Sequence, residues 1–167
     1  GLVHRLVVQL TLVITDIDTV KANGKGRYEA CPVGNGERTS NACIKTWFKN
    51  DVTPVELLAA DAPAQIVAKR RIAFQQPEEK GGPCGRSFED AFMLANPKLF
   101  TFAGPGTAER ETQAWEEAKE VKKSEDALKH ALSTEAWLIP RYIAEGIAWL
   151  AENDVPHRSS CRLSWQP

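Results

Sequence analysis

Two aspartates, Asp16 and Asp18, end an apolar run of β-branched residues over positions 10–20. The run predicts a buried, parallel strand, because β-branched side chains fit a pleated surface and an unbroken apolar pattern fits a strand covered on both faces. Alternate residues of a strand share a face, and ligands of open α/β sheets bind beyond the carboxyl ends of the strands. The pair therefore predicts a site for Mg²⁺ or Mn²⁺, although a turn leaving the sheet would use the same residues.

A second acidic pair, Glu89 and Asp90, stands in the first turn of a predicted helix that Ser87 can cap. Acidic residues at a helix start are favoured by the helix dipole, so the pair needs no ligand to explain it. The same carboxylates could also complete a metal site with Asp16 and Asp18. The residues alone leave both interpretations open.

The rest of the chain alternates helical and extended patterns, which predicts an α/β fold. Pro/Gly/Asn-rich segments at 21–38 and 76–85 predict loops, the first of them long and mobile. We expect a strand at 70–75 and helices at 42–48, from 54, from 88, at 107–121, at 124–132 and at 141–152. This pattern predicts an α/β core over residues 1–103 and a helical C-terminal portion over 104–167 packed on it.

Composition excludes several classes of protein. The formal net charge is -1, so a nucleic-acid site would have to be local. The four cysteines have no Cys-x-x-Cys spacing, which argues against a zinc site and favours reduced thiols in the cytoplasm. No apolar stretch reaches the roughly 20 residues that span a bilayer. About nine residues precede the first strand, so we expect the strand before it to lie outside this sequence.

Five segments resemble, in this order, the C-terminal catalytic region of OLD-family (overcoming lysogenisation defect) nucleases, which contains a Toprim domain. They read LVITDID at 12–18, TSN at 39–41, RSFEDAF at 86–92, KKS at 122–124 and PRYIAEG at 140–146. The resemblance implies a mostly parallel Toprim-like sheet flanked by helices, N-terminally incomplete. It implies a metal-dependent DNA endonuclease that is part of a larger ATPase-nuclease. The implied partners are DNA, an N-terminal ATPase domain that alone uses ATP, and a second copy of the chain.

The same resemblance assigns roles to residues of this sequence. Two Mg²⁺ or Mn²⁺ ions would be held by Asp16, Asp18 and a further carboxylate from Glu89 or Asp90, and Lys123 or its neighbour Lys122 would be the basic catalytic residue. Contacts with phosphate or DNA are implied for Arg86, Lys122, Thr39 and Ser40. The family's glutamate on the preceding strand has no match, since residues 1–9 contain no glutamate.

Two other functions stay open at the level of sequence. The segment Asp16-Ile17-Asp18-Thr19-Val20 also resembles the first motif of haloacid dehalogenase-like phosphatases, in which Asp16 would be a covalent nucleophile. A degenerate Toprim fold that binds DNA or a partner without catalysis is the third interpretation. The missing glutamate keeps it open.

Overall fold

Residues 9–154 fold into six α-helices and two small sheets, and the protein is therefore of the mixed α/β class. The computed structural model describes residues 9–154, except for the side chains at 123 and 126–128. The strands are β1 (Thr11–Ile14), β2 (Thr19–Ala22), β3 (Tyr28–Ala30), β4 (Arg38–Thr39), β5 (Ile66–Val67) and β6 (Arg70–Ala73). The helices are α1 (Ala42–Trp47), α2 (Pro54–Ala59), α3 (Phe88–Ala95), α4 (Thr107–Lys119), α5 (Lys123–Leu132) and α6 (Arg141–Asn153).

The first sheet has the strand order β1-β6-β5, and the second has the order β3-β2-β4. Strand β1 is parallel to β6, with Thr11 opposite Arg70 and Ile14 opposite Ala73. The other pairings, β5 with β6 and β2 with both of its neighbours, are antiparallel. The predicted α/β class is confirmed, but within residues 9–154 the pairing is not mostly parallel.

The apolar run at 10–20 does not form one strand, so that part of the prediction was wrong. Strand β1 ends at Ile14, β2 begins at Thr19, and residues 15–18 form a connection between the two sheets. Asp18 has a φ of 49°, in the left-handed region, which turns the chain away from the first sheet. Strand β1 is also less buried than predicted, since Ile14 is 46% exposed.

The first sheet lies between two apolar clusters. On one face, Ile72 and Phe74 pack with residues of the 15–18 connection, α1 and α2; this cluster comprises Ile17, Val33, Ile44, Val52, Leu57, Ile72, Phe74 and Cys84. On the other face, Ala73 packs with Tyr142 of α6 and Ala91 of α3. A Cβ on Gly146 would lie 3.1 Å from Leu12 Cδ1 and 3.3 Å from Ala73 Cβ, so glycine lets α6 approach the sheet closely.

Local capping explains where the short helices begin. Asn41 accepts hydrogen bonds from the amides of Cys43 and Ile44 at the start of α1. At the start of α2, Thr53 and Glu56 form a reciprocal capping box around Pro54. These helix starts are as predicted.

Residues 21–38 are not the predicted mobile loop. Strand β2 continues to Ala22 and pairs with β3 in an antiparallel hairpin, and a short 3-10 turn at Val33–Asn35 leads to β4. The predicted strand at 70–75 is β6, which ends two residues earlier, at Ala73.

No helix in the described part of the chain is long and apolar enough to cross a membrane. Cys31, Cys43 and Cys84 are free thiols, and Cys161 lies outside the described residues. The proposed division at residue 103 into two regions stays a prediction.

Candidate carboxylate site

The connection at 15–18 carries both aspartates, and side chains from the segment before α1 hold its backbone in place. They donate hydrogen bonds to three successive carbonyls: Asn41 Nδ2 to Asp16 (2.7 Å), Thr39 Oγ1 to Ile17 (2.6 Å) and Ser40 Oγ to Asp18 (3.0 Å). Thr39 and Ser40 were predicted to contact phosphate or DNA. In this structure their hydroxyls fix the turn that presents the carboxylates.

Asp16 is positioned by Gln75, a fully buried residue that follows β6. The Gln75 amide accepts a hydrogen bond from the Ile17 N–H at 2.7 Å and donates one to Asp16 Oδ1 at 2.6 Å. It also donates to the Tyr142 hydroxyl at 3.3 Å. Because β1 and β6 are parallel, Gln75 and Asp16 lie beyond the carboxyl ends of adjacent strands, where the sequence predicted the site.

Asp18 forms an ion pair with Arg86, the residue predicted to contact phosphate. The Arg86 Nη2 lies 3.1 Å from Asp18 Oδ1, and Arg86 Nε donates to the Thr19 carbonyl at 3.0 Å. The Asp18 amide in turn donates to the Arg86 carbonyl at 3.2 Å. The start of α3 is therefore attached to the 15–18 connection, and the guanidinium offsets part of the negative charge there.

Asp90 acts as a helix cap in this structure. Its carboxylate is 1% exposed and accepts hydrogen bonds from the amides of Arg86 (2.8 Å), Ser87 (2.6 Å) and Ala91 (3.1 Å), and from Ser87 Oγ (3.0 Å). Burial raises the pKa of Asp90, although these hydrogen bonds lower it in part. Of the second acidic pair, Glu89 is therefore the better candidate for a metal ligand.

Electrostatics relate Tyr142 of α6 to the carboxylates. Burial is the largest cause of the raised pKa of Tyr142, and the negative charges of Asp16, Asp90 and Glu89 raise it further. Tyr142 packs with Ala91 of α3 and Ala73 of β6, and Gln75 connects its hydroxyl to the Asp16 carboxylate, so these elements meet around one phenol. A phenol with a raised pKa stays protonated and can donate a hydrogen bond to an anion.

The predicted catalytic lysines lie at the start of α5. The helix begins at Lys123, whose side chain lies outside the described part of the structure. Lys122 is 73% exposed and forms an ion pair with Glu125 at 3.3 Å. The described contacts thus place Lys122 on the surface of α5, and its role and that of Lys123 stay predictions.

The donor set suits a hard cation, because carboxylate oxygens are the ligands that Mg²⁺ and Mn²⁺ prefer. Asp16 and Asp18 each use an oxygen to accept a hydrogen bond or ion pair, but a carboxylate has about four lone-pair sites and can also ligate an ion. Within the described residues, no three His, Cys, Asp or Glu side chains already form a metal-binding group. A metal site here would thus need a further ligand, either Glu89 after a rearrangement or the phosphate of a substrate.

A cavity of about 600 Å³ lies apart from these residues. Its lining comes from the 78–83 segment, the end of α3, the start of α4 and residues 136–138. None of the predicted site residues lines it.

No protein-family model, curated protein or solved structure was found to match this chain. The resemblance to OLD-family nucleases therefore stays a prediction that rests on short motifs. The geometry around Asp16 and Asp18 is independent of it.

Gln75, Asn41 and Tyr142 belong to the site but were missed by reasoning from the sequence. Gln75 could have been found as a polar residue directly after an apolar strand. Tyr142 lies inside the segment 140–146 that carried part of the resemblance. Asn41 caps α1, and its second function, a hydrogen bond to the Asp16 carbonyl, has no local signal in the sequence.

Proposed function

We propose that this chain is the metal-dependent nuclease part of a larger Toprim-like ATPase-nuclease that acts on DNA in the cytoplasm. The observation that supports this most is the placement of Asp16 and Asp18 just beyond the parallel pair β1–β6, with Gln75 and Arg86 fixing them. Carboxylates held in this way need little reorganisation to receive a cation, and preorganised charge is a large term in catalysis.

Each residue has a role in this proposal. Asp16 and Asp18, with Glu89, would hold the ions, and Gln75 would keep the Asp16 carboxylate oriented toward them. Two divalent ions on such a site would activate a water and stabilise the leaving oxygen of a phosphodiester. Arg86 would exchange part of its pairing with Asp18 for a phosphate oxygen, and Lys123 would stabilise negative charge developing on that phosphate.

Metal binding is the direct test. Calorimetric titration with Mn²⁺ should show binding to the chain, and Asp16→Asn/Asp18→Asn should abolish it. The control is Glu116→Gln, because Glu116 is an exposed carboxylate whose ion pair with Lys119 lies on α4. Unchanged Mn²⁺ binding in the double variant would place the metal elsewhere and remove the basis of the proposal.

Cleavage is the second test, measured as relaxation of supercoiled plasmid with Mg²⁺, Mn²⁺ or chelator. We expect weak or no cleavage by this chain alone, because no glutamate precedes Leu10, and metal-dependent cleavage by a protein that also carries the ATPase domain, faster with Mn²⁺. Lys123→Ala should slow cleavage without weakening Mn²⁺ binding, and Lys129→Ala on the same helix should do neither. Cleavage that persists in chelator, or hydrolysis of phosphomonoesters through an aspartyl-phosphate on Asp16 without DNA cleavage, would contradict the nuclease and favour the phosphatase.

A further inference from the structure

The chain that leaves Asp18 builds an ordered hairpin, β2 and β3, which we call the cationic hairpin (residues 19–30). Lys21 lies opposite Glu29, and Ala22 lies opposite Tyr28. The turn is fixed by Asn23, whose Oδ1 accepts hydrogen bonds from the amides of Lys25 at 2.9 Å and Arg27 at 3.0 Å. The tip of the hairpin therefore presents Lys25 and Arg27 from a defined backbone.

Positive charge is concentrated in this part of the chain. Residues 19–39 contain four basic and two acidic residues, a net charge of +2, whereas the whole chain has a net charge of -1. Lys21, Lys25 and Arg27 are all exposed. At the base of the hairpin, Arg86 pairs with Asp18 and donates a hydrogen bond to the Thr19 carbonyl, so a further cation lies where the hairpin leaves the carboxylates.

The two acidic residues of the segment are engaged by the hairpin itself. Glu29 Oε1 accepts a hydrogen bond from Asn23 Nδ2 at 2.6 Å. Glu37 Oε2 accepts one from the Ala22 amide at 3.2 Å. Glu29 thus helps to hold the turn, and Glu37 binds the last residue of β2.

The length of the hairpin sets its reach from the carboxylates. Asn23 is five positions along the chain from Asp18, and at about 3.3 Å per strand residue the tip lies about 16 Å from Asp18. Phosphates along one strand of DNA advance about 3.4 Å each along the helix axis, so this reach corresponds to about five nucleotides. Arg86 pairs with Asp18, Lys21 stands in β2, and Lys25 and Arg27 stand in the turn, so the hairpin carries positive charge from its base to its tip.

We propose that the cationic hairpin binds the phosphate backbone of DNA about five nucleotides from the phosphate held at Asp16 and Asp18; this rests on the proposed function. Lysine and arginine side chains at a hairpin tip contact phosphates without reading base edges, so the contact is independent of sequence. The contact between the hairpin tip and one phosphate determines which other phosphate of the same strand reaches Asp16 and Asp18.

Binding of the full chain to a fluorescein-labelled 20-base-pair duplex, measured by anisotropy in chelator from 50 to 200 mM salt, tests this. Lys25→Ala/Arg27→Ala should reduce the slope of log K against log salt by about 2, one for each lost phosphate contact. Lys25→Arg/Arg27→Lys should keep the slope. The matched control is Lys69→Ala/Arg70→Ala, which removes the same amount of positive charge. These two exposed residues lie at the start of β6, whereas Asp16 and Gln75 lie beyond its other end.

The outcomes separate this inference from the proposed function. Equal losses of slope in the tip and control variants would overturn the hairpin contact while leaving DNA binding and the nuclease proposal intact. A parent chain that binds Mn²⁺ but no DNA would overturn both. If the salt slope falls only in the tip variant but the parent chain binds no Mn²⁺, the hairpin contact with DNA stands and the nuclease proposal does not. Unlabelled polyglutamate and unlabelled DNA of equal total charge can be compared as competitors for the labelled duplex. If polyglutamate displaces the duplex as well as DNA does, the hairpin binds acidic proteins as readily as DNA, and the inference is overturned.

Discussion

Gln75 joins three groups that are far apart in the sequence, the Ile17 amide, the Asp16 carboxylate and the Tyr142 hydroxyl. Gln75→Leu keeps the approximate volume but leaves the buried Ile17 N–H without its acceptor. We expect a loss of about 1–3 kcal/mol in the free energy of unfolding, together with weaker Mn²⁺ binding. Urea denaturation and calorimetry measure the two effects.

Tyr142→Phe is the matched control for Gln75→Leu, because it removes only the longest of the three hydrogen bonds, at 3.3 Å. Its expected cost is below about 1 kcal/mol. Equal losses in the two variants would mean that Gln75 does not position the 15–18 connection.

Gly85 lies so close to α3 that no side chain fits there. A Cβ at Gly85 would lie 2.4 Å from the Ala91 amide nitrogen and 2.5 Å from its Cα, both of which are backbone atoms. We expect Gly85→Ala to lower the free energy of unfolding by about 1–3 kcal/mol, because the segment between β6 and α3, which carries Arg86, must shift. Gly24→Ala, where a Cβ would meet nothing within 4 Å, should cost less than about 1 kcal/mol. A similar urea midpoint for the two variants would contradict the close packing.

Single residues were predictable where the signal is local. Asp16 and Asp18 stand out by spacing, and the caps Asn41, Thr53 and Ser87 stand out by residue type. Gln75 was not found, because its partners Asp16 and Ile17 lie 59 and 58 residues away along the chain. Asp90 was ambiguous for a different reason, since one carboxylate in a first helical turn can cap the helix or bind a metal.

The turn between β5 and β6 contains a strained residue. Ala68 has a φ of 55°, a left-handed conformation that costs a non-glycine residue about 1–2 kcal/mol. Ala68→Gly should therefore raise the free energy of unfolding by about 0.5–1 kcal/mol, after the greater freedom of glycine in the unfolded chain is deducted. Ala148→Gly, at an exposed position inside α6, should lower it by a similar amount. A thermal melt in which both changes destabilise would contradict the assigned backbone of the turn.

Elements with a start signal were predicted well, and elements defined by long-range pairing were not. Helices α1, α2, α3 and α6 begin at the predicted residues because capping residues and prolines act within one turn. The single strand predicted at 10–20 failed because apolar residues continue through the bend at Asp18. Strand β3 was missed because all three of its residues, Tyr28–Ala30, are exposed and show no apolar alternation.

Three carboxyls that are shielded from water to different degrees, with Asp90 and Glu111 buried and Glu78 exposed, give the whole molecule an unusual dependence on pH. Burial raises the pKa of Glu78, Asp90 and Glu111 from ordinary values of 4.5, 3.8 and 4.5. A raised folded-state pKa means that stability is highest when the group is protonated and falls as pH rises through that pKa. Exposed Glu56 has the opposite shift, to about 2, caused first by its hydrogen bond with Lys49, so its contribution is lost as pH falls below 4.5.

We therefore expect the free energy of unfolding to be highest near pH 4–5 and to fall toward neutrality, as measured by urea unfolding at a series of pH values. Stability that rises steadily from pH 4 to 7 would contradict the burial of these carboxyls.

Glu111 is the group to change in testing that pH dependence. Its carboxylate joins two loops to α4 by accepting hydrogen bonds from the Gly34 amide at 2.8 Å and the Cys84 amide at 2.9 Å. Glu111→Gln should flatten the fall in stability above pH 4.5 and should cost about 1–3 kcal/mol at lower pH, because an amide NH₂ replaces one acceptor. Glu116→Gln on the exposed face of α4 should change neither the slope nor the midpoint.

The left-handed backbone at Asp18 determines which amino acids a mutational library would tolerate at that position. Glycine and asparagine adopt a φ near 49° at little cost, whereas β-branched residues do not, so selection for folding alone would retain chiefly Asp, Asn and Gly. Any further narrowing to Asp in a selection for activity would report on the charge of the carboxylate and not on the shape of the turn. Position 18 is thus a place where one substitution, Asp18→Asn, removes a proposed metal ligand while the backbone conformation stays accessible.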